Sequence, residues 1–147
     1  LKFLHIFKEK RSIDVLGEGT IAASASSMEQ TALATVRILQ HVNKADTKNK
    51  VLFIQSFCKT PLEVKDAAER VTGEKWAVNK LDEGEFVERE KARRDSGGKG
   101  AAEAEEELVW YLGSMEADWR TRDTFAMQTL GLEEEDVDGV VRKCFGL

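Results

Sequence analysis

The sequence predicts an α/β fold: a sheet of few strands with helices packed over it, ending in a helical C-terminal cap. Three observations lead there. Short apolar runs rich in β-branched and aromatic residues alternate with helix-periodic segments through the middle of the chain. One of those helices carries a complete start signal, Thr60-Pro61-Leu62-Glu63. The last third holds helical patterns and no further strand. With 147 residues, 41% hydrophobic and 33% charged, the chain fits one globular domain that buries about 70% of its unfolded surface. Its composition is not that of a disordered chain.

The opening segment, residues 2–7, reads as a strand. A charged turn at residues 8–11 and a second strand at residues 12–16 complete a hairpin that ends in the turn Gly17-Glu18-Gly19. The first residue is Leu1 and the opening strand is already under way there, so a fragment of a larger protein is expected. A long helix over residues 27–41 follows, capped by Ser26 or Ser27, with Met28, Ala32, Val36 and Leu39 on the face predicted to be buried. The polar stretch 43–49 ends it.

Val51-Leu52-Phe53-Ile54 has the pattern of a strand covered on both faces, placed centrally in the sheet. In the next helix Thr60 is the N-cap and Pro61, the chain's single proline, takes the first helical position. Glu63 is the capping-box acid, Val64, Ala67, Ala68 and Val71 form the buried stripe, and Gly73 is the stop. Residues 75–81 read as a strand. Asp82 and Glu85 repeat the capping pattern for a charged helix to about Arg94, which the run Ser96-Gly97-Gly98-Lys99-Gly100 breaks. A helix over residues 101–117 carries Leu108, Leu112 and Met115, in line with Trp119, on one face. A short helix through Phe125 to Leu130, then Gly131, and an amphipathic helix from Glu133 to about Phe145 close the chain. There is no internal repeat.

The formal net charge of -5 excludes a general nucleic-acid binder, because phosphate neutralisation needs clustered Lys and Arg. The one basic cluster, residues 89–94, is short and interleaved with acids. No apolar run approaches the roughly 20 residues that span a bilayer, and residues 1–7 lack the length and cleavage site of a signal peptide. A soluble cytoplasmic protein without a membrane partner is the expectation. Cys58 and Cys144, the two cysteines, lie far apart without ligand-spaced neighbours, which points to buried apolar thiols and to neither a metal site nor a disulfide.

Each candidate site has a plainer reading. Gly97-Gly98-Lys99-Gly100 lacks the preceding strand, the glycine spacing and the Ser or Thr of a phosphate loop, and reads as a linker. Gly17-Glu18-Gly19 is a tight turn, because a dinucleotide fingerprint needs G-x-G-x-x-G between strand and helix. Glu63 has a sufficient structural role as a capping acid without acting as a general base. His5 sits among apolar residues, His41 lies at a helix end where a cation suits the dipole, and neither has a partner at catalytic or metal-binding spacing. The acidic run 103–107 is a solvated helix face without EF-hand order. From the residues themselves, then, no catalytic, cofactor-binding or metal-ligating residue is assigned.

Three stretches, in order, resemble the NmrA-like and isoflavone-reductase-like family of atypical short-chain dehydrogenases. Gly17-Glu18-Gly19, Ser24-Ala25-Ser26-Ser27 and the helix after them are similar to the family's G-D-G, S-A-T-T and D-I-G-R-A helix start. Ser56-Phe57, Thr60-Pro61-Leu62-Glu63 and Val71-Thr72-Gly73-Glu74-Lys75-Trp76 resemble its strand, capped helix and G-x-x-W strand entry. Leu130-Gly131-Leu132 and the acidic residues after it are similar to the closing G-L-P-E-E-D segment. Gln30, Thr31 and Ala32 stand where the family usually carries Asp-Ile-Gly, and Glu18 stands for its Asp.

The resemblance implies that residues 1–147 are the C-terminal, substrate-side part of a Rossmann-type NAD(P)-binding protein whose cofactor-binding half lies upstream. It implies a parent that uses NADP, with none bound by this chain alone, and a substrate cleft along Ser24, Ser26 and Phe57. The partners implied are a small-molecule substrate or a regulatory protein, with self-association through exposed sheet surface. An NADPH-linked reductase, a non-catalytic NADP-sensing regulator and a truncated product without independent activity all stay open.

Overall fold

The computed structural model describes residues 5–41 and 45–147. The start of the first predicted strand and the first residues of the polar stretch after the first helix lie outside them. In chain order the elements are β1 (Ile6–Phe7), β2 (Ser12–Leu16), β3 (Ala23–Ala25), α1 (Met28–Gln40), β4 (Phe57–Lys59), α2 (Pro61–Thr72), β5 (Ala77–Leu81), α3 (Glu83–Asp95), α4 (Ala101–Met115), a 3-10 turn (Trp119–Thr121) and α5 (Val137–Phe145). The α/β class stands, with a helical C-terminal region.

A three-stranded sheet has the order β1-β2-β5, antiparallel on one side of β2 and parallel on the other, from Ser12 opposite Ala77 to Leu16 opposite Leu81. β2 is therefore the central strand, and its period-two alternation sends side chains to two cores. Ile13 and Val15 join Ala67 and Ala68 of α2, Trp76, and Val141 and Phe145 of α5, where the Trp76 and Phe145 rings stack 5.5 Å apart. Leu16 meets Phe86 of α3 and Trp110 of α4. Both faces of β2 are thus covered, while Ala77, Asn79 and Lys80 of β5 are exposed.

The second unit is an antiparallel ribbon of β3 and β4, with Ser24 opposite Cys58 and Ala25 opposite Phe57. A third core, made of Ala34, Ala126, Met127, Leu130 and Leu132 with Ile38, Leu52 and Ile54 packed on it, joins α1 to the C-terminal loops.

The local start signals hold. Thr60 Oγ1 accepts from the Glu63 N–H at 3.1 Å and Glu63 Oε2 accepts from the Thr60 N–H at 2.9 Å, a reciprocal box, while Glu63 Oε1 pairs with Lys59 at 3.1 Å. Gly73 ends α2 at φ +72°, a backbone state that favours glycine. Asp82 and Ser27 cap α3 and α1 through the N–H of Glu85 and of Gln30.

Six expectations are corrected. Residues 51–54 do not form the central strand. Phe53 makes a single parallel bridge to Phe125, donating to the Thr124 carbonyl at 3.0 Å and accepting from the Ala126 N–H at 2.8 Å, so its partner is a loop and the ladder begins only at Phe57. The predicted buried face of α1 points outward: Met28 is 85% and Leu39 66% exposed, and Val36 is exposed too, while Gln30, Ala34 and Ile38 face inward. A polar Gln at a buried position hid that face from the apolar count. In α4 the buried positions are Ala104 and Trp110, and Leu112 is exposed. The helix expected at residues 125–130 is a set of turns closed by Gly131 at φ +60°, with Leu132 donating to the Met127 carbonyl. The last helix starts at Val137 behind Asp136, because Glu133, Glu134 and Glu135 bond elsewhere. Cys144 is exposed and Cys58 half-buried, so neither is a buried core thiol.

Candidate functional site

The β3–β4 ribbon and the segments that cross it hold a polar cluster at the centre of the second unit. Gln55 and Ser56, the two residues before β4, are both 0% exposed, and Ser24 and Gln30 are buried beside them. Polar groups taken from water need partners, and the folded chain supplies them from four segments. Ser24 Oγ donates to Gln55 Oε1 at 2.7 Å and accepts from the Trp119 N–H at 3.0 Å. Gln55 Nε2 donates to Glu134 Oε1 at 2.5 Å. Gln30 Nε2 donates to two carbonyls, those of Gln55 at 3.2 Å and Glu133 at 2.7 Å.

The carboxylate of Glu135 receives two seryl hydroxyls on one oxygen, from Ser27 and Ser56, each at 2.5 Å, and the Glu135 N–H donates to the Ser56 carbonyl at 2.7 Å. Burial works against ionisation of Glu135, but the hydroxyls of Ser27 and Ser56, together with Lys143, outweigh it and hold the carboxyl below its usual range. An ionised Glu135 at the start of α1 also suits the helix dipole.

The three residues expected along a substrate cleft come together here. Ser24 lies on β3, Ser26 follows that strand, and Phe57 pairs with Ala25 across the ribbon. Their surroundings differ. Ser24 and Phe57 are buried, whereas Ser26 is exposed and its hydroxyl donates to the Ile54 carbonyl at 3.1 Å. At the ribbon's edge the Cys58 thiol is pushed up by burial against a hydrogen bond with Ser24. A raised thiol favours the protonated form over the nucleophilic thiolate. Beside it Asp118 takes a forked pair from Arg120, at 2.8 and 2.6 Å, which with burial opposing holds its carboxyl down at about 2.

His5, assigned no role from sequence, lies between two carboxylates, with Nδ1 3.1 Å from Asp14 Oδ2 and Nε2 2.8 Å from Glu107 Oε2, and stacks on Trp110 with ring centroids 3.6 Å apart. That arrangement ties β2 to α4. Among the described residues no group of three or more His, Cys, Asp and Glu could hold a metal ion, and no helix is long and apolar enough to cross a membrane.

The glycine turns do not fit a dinucleotide phosphate. A Cβ on Gly17 would lie 2.7 Å from Glu83 Oε1, and one on Gly19 would lie 3.0 Å from Val15 Cβ, so both glycines serve close packing within the chain. An acidic side chain against the turn also repels an anion. A surface hollow of about 460 Å³ at the end of α2 is lined by Asp66, Glu69, Arg70, Gly73, Glu74 and Lys75. An apolar niche of about 10 Å³ between Leu16, Ile21, Pro61, Trp110 and Met115 has room for one water at most.

The sequence points to Ser24, Ser26 and Phe57 of this ribbon but not to Gln55, Ser56, Glu134 and Glu135. The usable signal was a Gln-Ser pair directly after an apolar run, together with three consecutive acids ahead of a helix cap.

No protein-family model matches the chain, and no curated protein matches its sequence. A solved structure does: a crystal structure of isoflavone reductase superposes with a TM-score of 0.64 at 16% identity, over 90% of this chain and 43% of that one. The chain thus spans less than half the length of the structure it matches. At that identity the likeness shows the fold alone, and the chain has the fold of part of an isoflavone reductase.

Proposed function

We propose that the chain is the substrate-side part of an NAD(P)H-dependent oxidoreductase, with a cleft for a small carbonyl or enone compound along Ser24, Ser26 and Phe57. The observation that carries this reading is the match of 90% of the chain to isoflavone reductase. The gathering of the three residues on one ribbon supports it. In this reading NADP is held by a dinucleotide-binding half outside these 147 residues, because the glycine turns here are closed by their own side chains. In this reading self-association uses the outward apolar face of α1, with Met28, Val36 and Leu39.

A second reading, a sensor that binds NADP without turning it over, is favoured by Gln30. It stands where the family usually carries Asp, and its amide nitrogen is occupied by two backbone carbonyls. The readings separate in a protein that carries this segment together with its cofactor: a reductase oxidises NADPH when a carbonyl or enone is added, and a sensor does not.

The cleft itself is tested by following backbone amide resonances of the 147-residue chain during titration with a small aromatic ketone. Saturable shifts confined to Ser24, Ser26, Phe57 and their neighbours are expected. Shifts at the end of α2 instead, or none, would overturn the placement.

A further inference from the structure

Two motifs have no part in that reading: the basic cluster at residues 89–94 and the glycine run at residues 97–100. They flank two residues, Asp95 and Ser96, and read Arg93-Arg94-Asp95-Ser96-Gly97-Gly98. We propose that Ser96 is a phosphoacceptor for an arginine-directed serine/threonine protein kinase. This inference is independent of the oxidoreductase reading.

Access comes first. Ser96 is exposed at the C-cap of α3, and the hydroxyl's hydrogen bonds run to the local Arg93 and Gly97 carbonyls, at 2.8 and 3.4 Å. A Cβ placed on Gly97 or Gly98 would meet nothing within 4 Å, so the link between α3 and α4 stands clear of the body and a kinase cleft can enclose it. Both glycines have positive φ, 67° and 90°, and the exposed last turn of α3 opens at low cost into the extended form a kinase binds. Two arginines at three and two residues before the serine supply the charge-assisted contacts that select such a substrate.

The product is accommodated by its surroundings. A phosphate left at the C-terminal end of α3 is opposed by that helix's dipole. The start of α4 is five residues away, and Gly100 gives it no side-chain cap. Arg93 bridges the two ends: Nη1 is 2.6 Å from the buried Glu90 and Nη2 is 3.4 Å from the Gly100 carbonyl and 3.3 Å from Glu103. Lys99 makes no ion pair among the described residues. The groups near the phosphate are then Arg93, Lys99 and the N–H groups of Ala102 and Glu103, since those of Ala101 and Ala104 already donate to Gly98 and Gly100, and the phosphate competes with Glu103 for Arg93. In the transfer, Ser96 Oγ attacks the γ-phosphorus of ATP, the O–P bond forms as the β,γ-bridging bond breaks, ADP leaves, and the hydroxyl proton passes to the kinase's aspartate base.

The test incubates the folded 147-residue chain with Mg-ATP and the catalytic subunit of cyclic-AMP-dependent protein kinase, read by intact mass and peptide mapping. One phosphoryl group per chain at Ser96 is expected, lost in Ser96→Ala and retained in Ser96→Thr. Because Arg93 neutralises a buried glutamate, the direction by arginine is tested at Arg94, whose ion pair is with exposed Asp95. Arg94→Ala should slow transfer about tenfold, the value of one charge-assisted contact. In the phosphorylated chain the amide protons of Ala102 and Glu103 should move downfield. No incorporation, incorporation that persists in Ser96→Ala, or a rate unchanged in Arg94→Ala would each overturn the proposal.

Discussion

Replacing Gln55 by Leu tests the polar cluster most severely. The substitution keeps the side chain's approximate size at a fully buried position and removes both functional atoms. Two bonds are lost: Ser24 Oγ to Gln55 Oε1 at 2.7 Å, and Gln55 Nε2 to Glu134 Oε1 at 2.5 Å. The first is a neutral bond worth about 0.5–1.5 kcal/mol, and the second, to a carboxylate, about 1.5–3 kcal/mol. Added apolar burial returns about 1 kcal/mol at most. Ser24 keeps its bond from the Trp119 N–H, so its hydroxyl is not fully orphaned. The net expectation is a loss of about 2–3 kcal/mol, which lowers the melting midpoint by roughly 4–12 °C in a chain of this size. Urea unfolding followed by tryptophan fluorescence, with extrapolation to water at constant slope, measures it. A control, Ser26→Ala, breaks only an exposed bond to the Ile54 carbonyl and should stay within about 0.5 kcal/mol. A Gln55→Leu chain as stable as the unsubstituted one would refute the cluster as a structural centre.

Three further expectations address the rest of the fold. Thr60→Ala should cost about 1 kcal/mol through loss of the N-cap, and Glu63→Ala less, with a double-mutant cycle in chemical unfolding showing that the two are coupled. Leu39→Ser should be neutral within about 0.5 kcal/mol, whereas Ala34→Leu, on the buried face of the same helix, should cost about 1–3 kcal/mol by overpacking; thermal melts that reversed this order would restore the face read from sequence. Glu69, held down to about 2 by the Trp76 N–H and by Lys75 and Lys65 against burial, has a folded pKa below its unfolded value. Its contribution is present above pH 4.5 and is lost as pH falls towards 2, so Glu69→Gln should flatten the fall of melting midpoint with acid over that window, and an unchanged pH profile would contradict the assignment.

The legible parts of this fold were those where local chemistry decides. Thr60, Pro61 and Glu63 announce a helix start within four residues, and Gly73 announces its end; both stand in the structure as read. The hairpin of β1 and β2 was similarly visible from a charged turn between two apolar runs. Register and face were not, because they depend on what packs against them. Residues 51–54 carry a strand's composition, but Phe53 finds its single partner at Phe125, far along the chain, and no local pattern encodes that meeting. In α1 the apolar count chose Met28, Val36 and Leu39, while the buried side is fixed by Gln30, whose partners are the carbonyls of Gln55 and Glu133.

The same reasoning explains the candidate site. Ser24, Ser26 and Phe57 were named because they fall in stretches that resemble a known family. Gln55, Ser56, Glu134 and Glu135 were missed because a buried polar network exists only in three dimensions. Glu135 is one acid in a run of three, and nothing in its neighbours marks it as the acceptor of hydroxyls from Ser27 and Ser56.

The measurement closest to the central claim is a calorimetric titration of the 147-residue chain with NADPH. The glycine turn after β2 is closed by Glu83 and Val15, and a pyrophosphate needs backbone N–H groups open at a helix start. The account therefore predicts no saturable heat with NADPH at up to about 1 mM, a range in which even a weak site of about 4 kcal/mol would begin to fill. A dissociation constant in the micromolar range or tighter would contradict it, by placing a complete dinucleotide site inside a chain proposed to be the substrate side.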